Sequence, residues 1–139
     1  MIIFADTNQE LCELVKELIP NLTVLNENVF KVKERYPQAK IVTASNPSFN
    51  AGGGLDLALS KAYPNEWRLA RNGYLTNNLL FVVSVNSDFR AYQGLIKLAL
   101  MVVKRESVSH DLILTGLGTG IGGLSQKVFV NLLKRVMKK

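Results

Sequence analysis

Cysteine and long apolar runs are scarce in this chain, and each scarcity excludes a class of protein. The single cysteine, Cys12, permits no internal disulfide and argues against a cysteine-based zinc site. The longest apolar run, residues 95–103, contains Lys97 and is far shorter than the roughly 18 residues of a membrane-spanning helix. The beginning of the chain lacks the basic and apolar regions of a secretory signal. We therefore expect a cytoplasmic protein with no metal, no cofactor and no membrane contact.

Acidic residues are fewer than basic residues, 11 against 17, which gives a net charge of +6. Because the basic residues are scattered rather than clustered, the excess is typical of solubility or of affinity for a phosphate-bearing ligand. Nucleic acid is the weaker option. A hydrophobic content of 47% and a charged content of 20% belong to a folded globular chain, and 139 residues fit one domain.

Apolar and β-branched runs alternate with helical patterns along the chain. Strands are predicted over 1–5, 22–30, 40–45, 79–85 and 111–117, and helices over 7–19, 55–63, 91–106 and 125–139. The segment 65–78 is ambiguous between a helical turn followed by a hairpin and a helical turn followed by a loop. This order predicts an α/β fold with three layers, α/β/α, around a central mixed, mostly parallel sheet.

Two glycine-rich segments follow predicted strands and lead into predicted helices. The first covers residues 46–54 and the second residues 118–123. Ligands of open α/β sheets bind beyond the carboxyl ends of the strands, so both segments belong to the expected binding edge. Glycine lets backbone N–H groups approach an anion, and a helix N-terminus adds positive charge. The two segments therefore predict a diphosphate site, although glycines that only shape tight turns are the plain alternative.

The second segment fits G-x-G-x-x-G letter for letter, but its position excludes a dinucleotide fold. That fingerprint needs an acidic residue about 20 positions later to bind the ribose. Only 16 residues follow Gly123, and none is acidic. A Walker A loop is also excluded, because no Lys-Ser or Lys-Thr pair follows the glycines.

Both segments together resemble the macro domain, a family known for binding ADP-ribose. Its first signature is similar to I-V-N-A-A-N-x-x-L-x-x-G-G-G-V-D-x-A-I, and residues 41–59 follow it, with Asn46 and Asp56 at the same separation. Its second signature is similar to S-T-G-I-x-G, which residues 118–123 match. The resemblance covers residues 22–139, and residues 1–21 form a leading strand and helix found in shorter viral and bacterial members. We therefore expect a single macro-like domain over 1–139.

The resemblance implies a role for each matching residue. Asn46 would bind the distal ribose, Asn28 would accept from the adenine amino group, and Asp56 with Asn46 would form the catalytic centre if the protein turns over substrate. The backbone cradle around the ribose and the phosphates would consist of Gly52, Gly53, Gly54, Gly118, Thr119, Gly120, Ile121, Gly122 and Gly123.

Three departures from the family pattern bear on catalysis. Thr43 stands where the family often has its first asparagine, Gly122 replaces a common aromatic residue, and Ser60 replaces a histidine of hydrolytic members. Three functions stay open. The chain binds ADP-ribose or a related nucleotide, or it is a weak ADP-ribosyl hydrolase or ADP-ribose 1″-phosphate phosphatase that acts on ADP-ribosylated protein or the free nucleotide. Alternatively, it is a non-enzymatic viral or structural protein that has lost the ligand.

Overall fold

The computed structural model describes residues 1–51, 53–120 and 122–138. Five strands and six helices lie within these described ranges. In chain order they are β1 (Ile2–Ala5), α1 (Gln9–Leu18), β2 (Thr23–Leu25), α2 (Val29–Arg35), β3 (Lys40–Val42), α3 (Gly54–Ala62), α4 (Pro64–Trp67), β4 (Leu79–Leu80), α5 (Gln93–Ser107), β5 (Leu112–Leu114) and α6 (Gln126–Met137). None of the described helices is both long enough and apolar enough to span a membrane.

The strands form one sheet in the order β2-β1-β5-β3-β4, and every pair of neighbouring strands is parallel. The leading strand β1 lies inside the sheet, where Ile3 is opposite Thr23 on one side and Ile113 on the other. The α/β prediction is therefore confirmed. The expectation of a mixed sheet is wrong for the described strands, since none of them runs antiparallel.

The segment 65–78, for which the sequence left a hairpin and a loop open, explains why no antiparallel strand forms among the described residues. After α4 the chain turns back on β4, and Leu75 makes an isolated antiparallel bridge with Leu80. The amide of Gly73 donates to the Phe81 carbonyl, and the amide of Phe81 donates to Tyr74. This short ladder has the geometry of a hairpin, but its first arm is too brief to count as a strand.

Helices cover both faces of the sheet because neighbouring strand residues point to opposite sides. On one side Phe4 packs with α1, α5 and α6, and on the other side Ile3 packs with α2 and α3. Phe4, Ile3 and Ile113 are all fully buried. This arrangement is compatible with three α/β/α layers.

The prediction of one of the strands is largely wrong. The segment 22–30 was expected to be extended throughout, but β2 ends at Leu25 and α2 begins at Val29. Asn28 is the reason, because its side-chain oxygen accepts from the Phe30 amide and caps the first turn of the helix. Val29 and Val32 then lie three residues apart on the buried face of α2. The β-branched residues concealed this helical spacing.

The pairing of β3 with β4 ends near the carboxyl ends of the strands, at the edge of the sheet where a ligand site is expected. The amide of Val82 donates to the Thr43 hydroxyl at 3.1 Å instead of to a strand carbonyl. Thr43 is fully buried, and this bond holds the two segments together there. Only a single parallel bridge, between Ser45 and Val83, follows it among the described residues. Strands 40–45 and 79–85 are therefore shorter than predicted.

Candidate functional site

A cavity of about 830 Å³ lies beyond the carboxyl ends of the strands. Segments that follow all five strands line it, because parallel strands direct their carboxyl ends to one edge of the sheet. Asp6 follows β1, Asn28 follows β2, Asn46 follows β3, Val85 follows β4 and Gly116 follows β5.

The cavity brings together most of the residues that the sequence singles out. Those lining it are Asn28, Asn46, Gly53, Gly54, Asp56, Gly118, Thr119, Gly120 and Gly122. Gly123 is exposed and is not among the lining residues. Gly52 and Ile121 lie outside the described residues. The two glycine segments thus contribute to the walls of one cavity.

Three of these glycines have a structural reason to be glycine. Gly118 has φ 77°, and a Cβ there would lie 2.6 Å from the Ala91 Cβ. A Cβ on Gly122 would lie 2.7 Å from the Gly118 carbonyl oxygen. Gly54 begins α3 with φ 59°, in the left-handed region that side chains disfavour. Packing and backbone geometry account for these three positions without a ligand.

Gly120 has no such reason. It is not one of the described glycines with positive φ, and a Cβ built on it would meet no described atom within 4 Å. Its backbone amide donates to none of the described residues. Gly120 nevertheless lines the cavity, and without a side chain it leaves its backbone uncovered in the wall.

The second glycine loop satisfies many of its own polar groups. The Thr119 hydroxyl donates to the Gly116 carbonyl at 2.7 Å, and the Thr119 amide donates to the same oxygen. The Gly123 amide donates to the Gly120 carbonyl at 3.1 Å. The Thr119 hydroxyl and these two amides therefore stabilise the shape of the loop.

The helix N-termini at the cavity also differ from the expectation. α3 begins in the wall itself, where residues 53–56 line the cavity and no described side chain caps the first turn. Its first turn, with the positive end of its dipole, therefore forms part of the cavity wall. α6 begins only at Gln126, outside the lining residues, and the Ser125 side chain accepts from Val128. One of the two expected helix dipoles is present.

Asp56 is the most unusual charged group in the wall. Its side chain lies in the first turn of α3, and the residue is only 8% exposed. Burial raises the pKa of the Asp56 carboxyl, while the Ser45 hydroxyl and the Ala44 amide act in the opposite direction. The Ala44 amide donates to Asp56 Oδ1 at 3.0 Å. The Ser45 hydroxyl is buried and has no hydrogen-bond partner of good geometry among the described residues. Ser60, at the family histidine position, is not a lining residue.

Both asparagines use their side-chain oxygens to shape loops. Asn46 Oδ1 accepts from the Asn50 amide at 3.0 Å and from the Ser48 hydroxyl at 3.3 Å. Asn28 Oδ1 accepts from Phe30 at 2.8 Å as the cap of α2. Neither side-chain nitrogen donates to a described residue, and each is thus a donor available to a ligand. The expected role of Asn28 as an acceptor for the adenine amino group stays a prediction.

Asp6 and Phe89 are among the lining residues that the sequence analysis did not single out. Asp6 ties the binding edge together, since its Oδ1 accepts from Asn8 at 2.9 Å and its Oδ2 accepts from Gly116 at 3.1 Å. The position of an aspartate directly after a buried strand was a signal that could have found it. Phe89 lines the cavity from the loop between β4 and α5, at 40% exposure and with φ 61°. No motif marks it.

The loop that carries Phe89 is connected to the second glycine segment. The Ala91 amide donates to the Gly122 carbonyl at 3.0 Å, and the Asn86 amide donates to Arg90 across the turn. Gly122 and Phe89 therefore line the same cavity from two different loops.

No protein-family model matches the chain, and no curated protein is significantly similar to it.

Proposed function

We propose that this chain is a macro-like module that binds ADP-ribose or a closely related nucleotide diphosphate in the cavity at the sheet edge. The observation that supports it best is the meeting of Gly53 and Gly120, from two distant glycine segments, in one cavity. The cavity volume of about 830 Å³ falls within the range of roughly 300–1,000 Å³ that small-molecule sites occupy.

Backbone groups are the donors that suit the diphosphate. The charged side chains of the described wall are the carboxylates Asp6, Glu27 and Asp56, and no lysine or arginine is among the lining residues described. Phosphate oxygens therefore belong near the amide of Gly120 and the uncapped first turn of α3, where N–H groups and the helix dipole are concentrated. Nests of backbone amides bind anions without a cationic side chain.

The carboxylates suit the hydroxyl and amino groups of the same ligand. Glu27 already pairs with Arg35, and Asp6 already accepts from two amides, so neither is an uncompensated charge at the cavity. Ribose hydroxyls and the adenine amino group are donors that carboxylate and amide oxygens accept. We assign adenine to the side of Asn28 and the distal ribose to the side of Asn46, as the family resemblance implies.

A weak hydrolytic activity is the second candidate, and Asp56 is the observation that favours it. A buried carboxylate with a raised pKa in a cleft is a candidate general base. Release of ADP-ribose from modified protein, or of phosphate from ADP-ribose 1″-phosphate, would need Asp56 to orient or deprotonate water. The bond from Ala44 occupies one oxygen of Asp56, and no histidine accompanies it in the described wall, so we expect turnover to be slow.

A protein that keeps the fold but has lost the ligand is the remaining alternative. Gly120 counts against it, because neither packing nor φ explains a glycine at this position in the wall. The expected cytoplasmic location rests on the sequence alone and stays a prediction.

Calorimetric titration with ADP-ribose tests the proposed function. We expect saturable heat with ADP-ribose and weaker binding of AMP, which lacks the second phosphate and the distal ribose. Incubation with ADP-ribosylated protein then separates a binder from an enzyme. Heat that is absent at millimolar ADP-ribose would count against the nucleotide site altogether.

A further inference from the structure

A second cavity, of about 900 Å³, lies on the surface of α5 and does not belong to the nucleotide site. One side of α5 forms its base, and two loops, residues 47–49 and 70–72, form its rim. We call it the α5 groove.

Apolar side chains of the α5 groove are open to solvent. Leu98 is 61% exposed and Met101 is 50% exposed, and both line the groove with Leu95 and Val102. These residues recur at three- and four-residue steps, so they form one stripe along the helix. Apolar side chains that are clustered in a concave surface mark an interaction site more often than scattered ones do. Methionine suits such a surface because its flexible side chain adapts to a partner.

Positive charge borders the stripe. Arg71 and Arg105 both line the groove, and no carboxylate is among its described lining residues. The Arg71 guanidinium lies 4.2 Å from the centre of the Tyr74 ring, which holds its planar group in place. Arg105 Nε donates to Glu106 at 3.2 Å, while the Arg105 side chain stays 64% exposed. Its terminal nitrogens are therefore accessible to a partner carboxylate.

We propose that the α5 groove docks a short, acidic, amphipathic segment of a partner protein. Apolar side chains of the segment would pack on Leu98 and Met101, and its carboxylates would pair with Arg71 and Arg105. The stripe from Leu95 to Arg105 spans about 15 Å at 1.5 Å per helical residue, enough for about three helical turns of a partner. A second copy of this chain is the poorer occupant, because two chains of net charge +6 repel each other.

The docking proposal does not depend on the nucleotide. The loop 47–49 forms one rim of the α5 groove, while Asn46 and Asn50 on either side of it line the first cavity. A docked segment would therefore lie against the far side of the loop that shapes the ribose end. Peptide binding can be measured with the first cavity empty, so its failure and the failure of nucleotide binding are separate results.

Fluorescence anisotropy with designed peptides tests the proposal. The probe is a labelled synthetic peptide of about 12 residues with leucines along one helical face and glutamates elsewhere. A second peptide replaces every glutamate with lysine, and a third scrambles the leucine spacing. We expect saturable binding of the acidic amphipathic peptide and at least about tenfold weaker binding of the other two. Equal binding of the lysine peptide, or no binding of the glutamate peptide, would overturn the proposal.

Point variants locate the binding. Leu98→Glu and the double change of Arg71 and Arg105 to Glu should each weaken binding of the acidic peptide by at least about tenfold. Val108→Glu is the matched control, because Val108 is 87% exposed and lies outside the groove, and it should bind like the unchanged chain. If Leu98→Glu binds the peptide normally, the proposal is wrong. A dimer detected by sedimentation and abolished by Leu98→Glu would also overturn it, since a second copy would then occupy the groove.

Discussion

The backbone amide of Ala44 donates to the Asp56 carboxylate at 3.0 Å, and this bond joins the end of β3 to the first turn of α3. It fixes the loop between them, which contains the first glycine segment, at both ends. Both residues line the cavity, so the bond holds one wall of the site. The bond also places Asp56 where it is only 8% exposed, and this burial raises the pKa of its carboxyl.

Asp56→Asn should stabilise the protein at neutral pH. The change removes a charge that burial disfavours, while the new amide oxygen still accepts from Ala44 and the amide nitrogen faces the Ser45 hydroxyl. Because the pKa is raised in the folded state, the native protein loses stability as the pH rises from about 4, the pKa of an unfolded aspartate, through the folded pKa. The gain from Asp56→Asn should therefore be absent near pH 3 and grow with pH. Denaturant unfolding at several pH values measures it.

Asp56→Ala is the control for that experiment. It removes the charge and the acceptor together, leaving the Ala44 amide without its partner, which costs about 1–3 kcal/mol. A variant Asp56→Asn that is less stable than the unchanged chain at pH 7 would contradict the assignment of a disfavoured charge. If either variant also stops release of ADP-ribose while affinity persists, Asp56 is catalytic.

Asn28→Asp should sharpen the preference for adenine. Aspartate keeps the cap on the Phe30 amide and adds a charge that suits the N-terminus of α2, which is worth about 0.3–1 kcal/mol. Its carboxylate is also a stronger acceptor for an amino group than an amide oxygen is. Titration with ADP-ribose and with its hypoxanthine analogue measures the preference. Equal affinities of the aspartate variant for both would show that Asn28 does not face the base.

Asn28→Ala is the control for this experiment, because alanine has no side-chain oxygen to cap α2. We expect it to lower the free energy of unfolding by about 1 kcal/mol and to give no gain in base preference.

Phe89→Ala should weaken ADP-ribose binding by about tenfold, because an aromatic contact with a sugar or base contributes about 1–3 kcal/mol. Phe89→Tyr keeps the ring and should bind as the unchanged chain does. Tyr92→Ala is the outside control, since Tyr92 is 47% exposed and is not a lining residue. Equal calorimetric affinities of Phe89→Ala and the unchanged chain would remove Phe89 from the site.

Gly118→Ala should damage the fold rather than the ligand contacts alone. Alanine is strained at φ 77°, and its Cβ would lie 2.6 Å from the Ala91 Cβ. The free energy of unfolding should fall by about 1–3 kcal/mol, as denaturant unfolding would record. A variant as stable as the unchanged chain would mean that the turn needs no glycine there.

Local patterns predicted the fold where each element carried its own signal. Alternation of buried strands and helices was enough for an α/β sheet, and the parallel order brought both glycine segments to one edge. The prediction of a strand over 22–30 was wrong because Asn28 caps a helix, α2, whose valines are typical of strands. Such a competition between β propensity and a cap is decided by tertiary packing, here by the burial of Val29 and Val32.

The sequence predicted which backbone segments meet at the candidate site, but it did not predict which hydrogen bonds the side chains make there. Motif positions brought Asn46, Asp56 and five of the predicted glycines to one cavity, since spacing along a strand end fixes where a residue lies. Spacing carries no information on internal partners, so it missed that the Thr119 hydroxyl bonds to Gly116. Phe89 and the α5 groove depend on loops and helices that meet only in the folded chain.

Titration of the Gly120→Val variant with ADP-ribose is the most direct test of the proposed function. A valine side chain there would add bulk at the cavity wall, and its Cβ meets no described atom within 4 Å, so the fold should stay cooperative. Gly94→Val is the matched control, because its Cβ also meets no described atom within 4 Å and Gly94 is not a lining residue. We predict that the control binds ADP-ribose as the unchanged chain does and that Gly120→Val, although folded, gives no binding heat. Equal affinity of Gly120→Val and Gly94→Val would contradict a phosphate site at the second glycine segment.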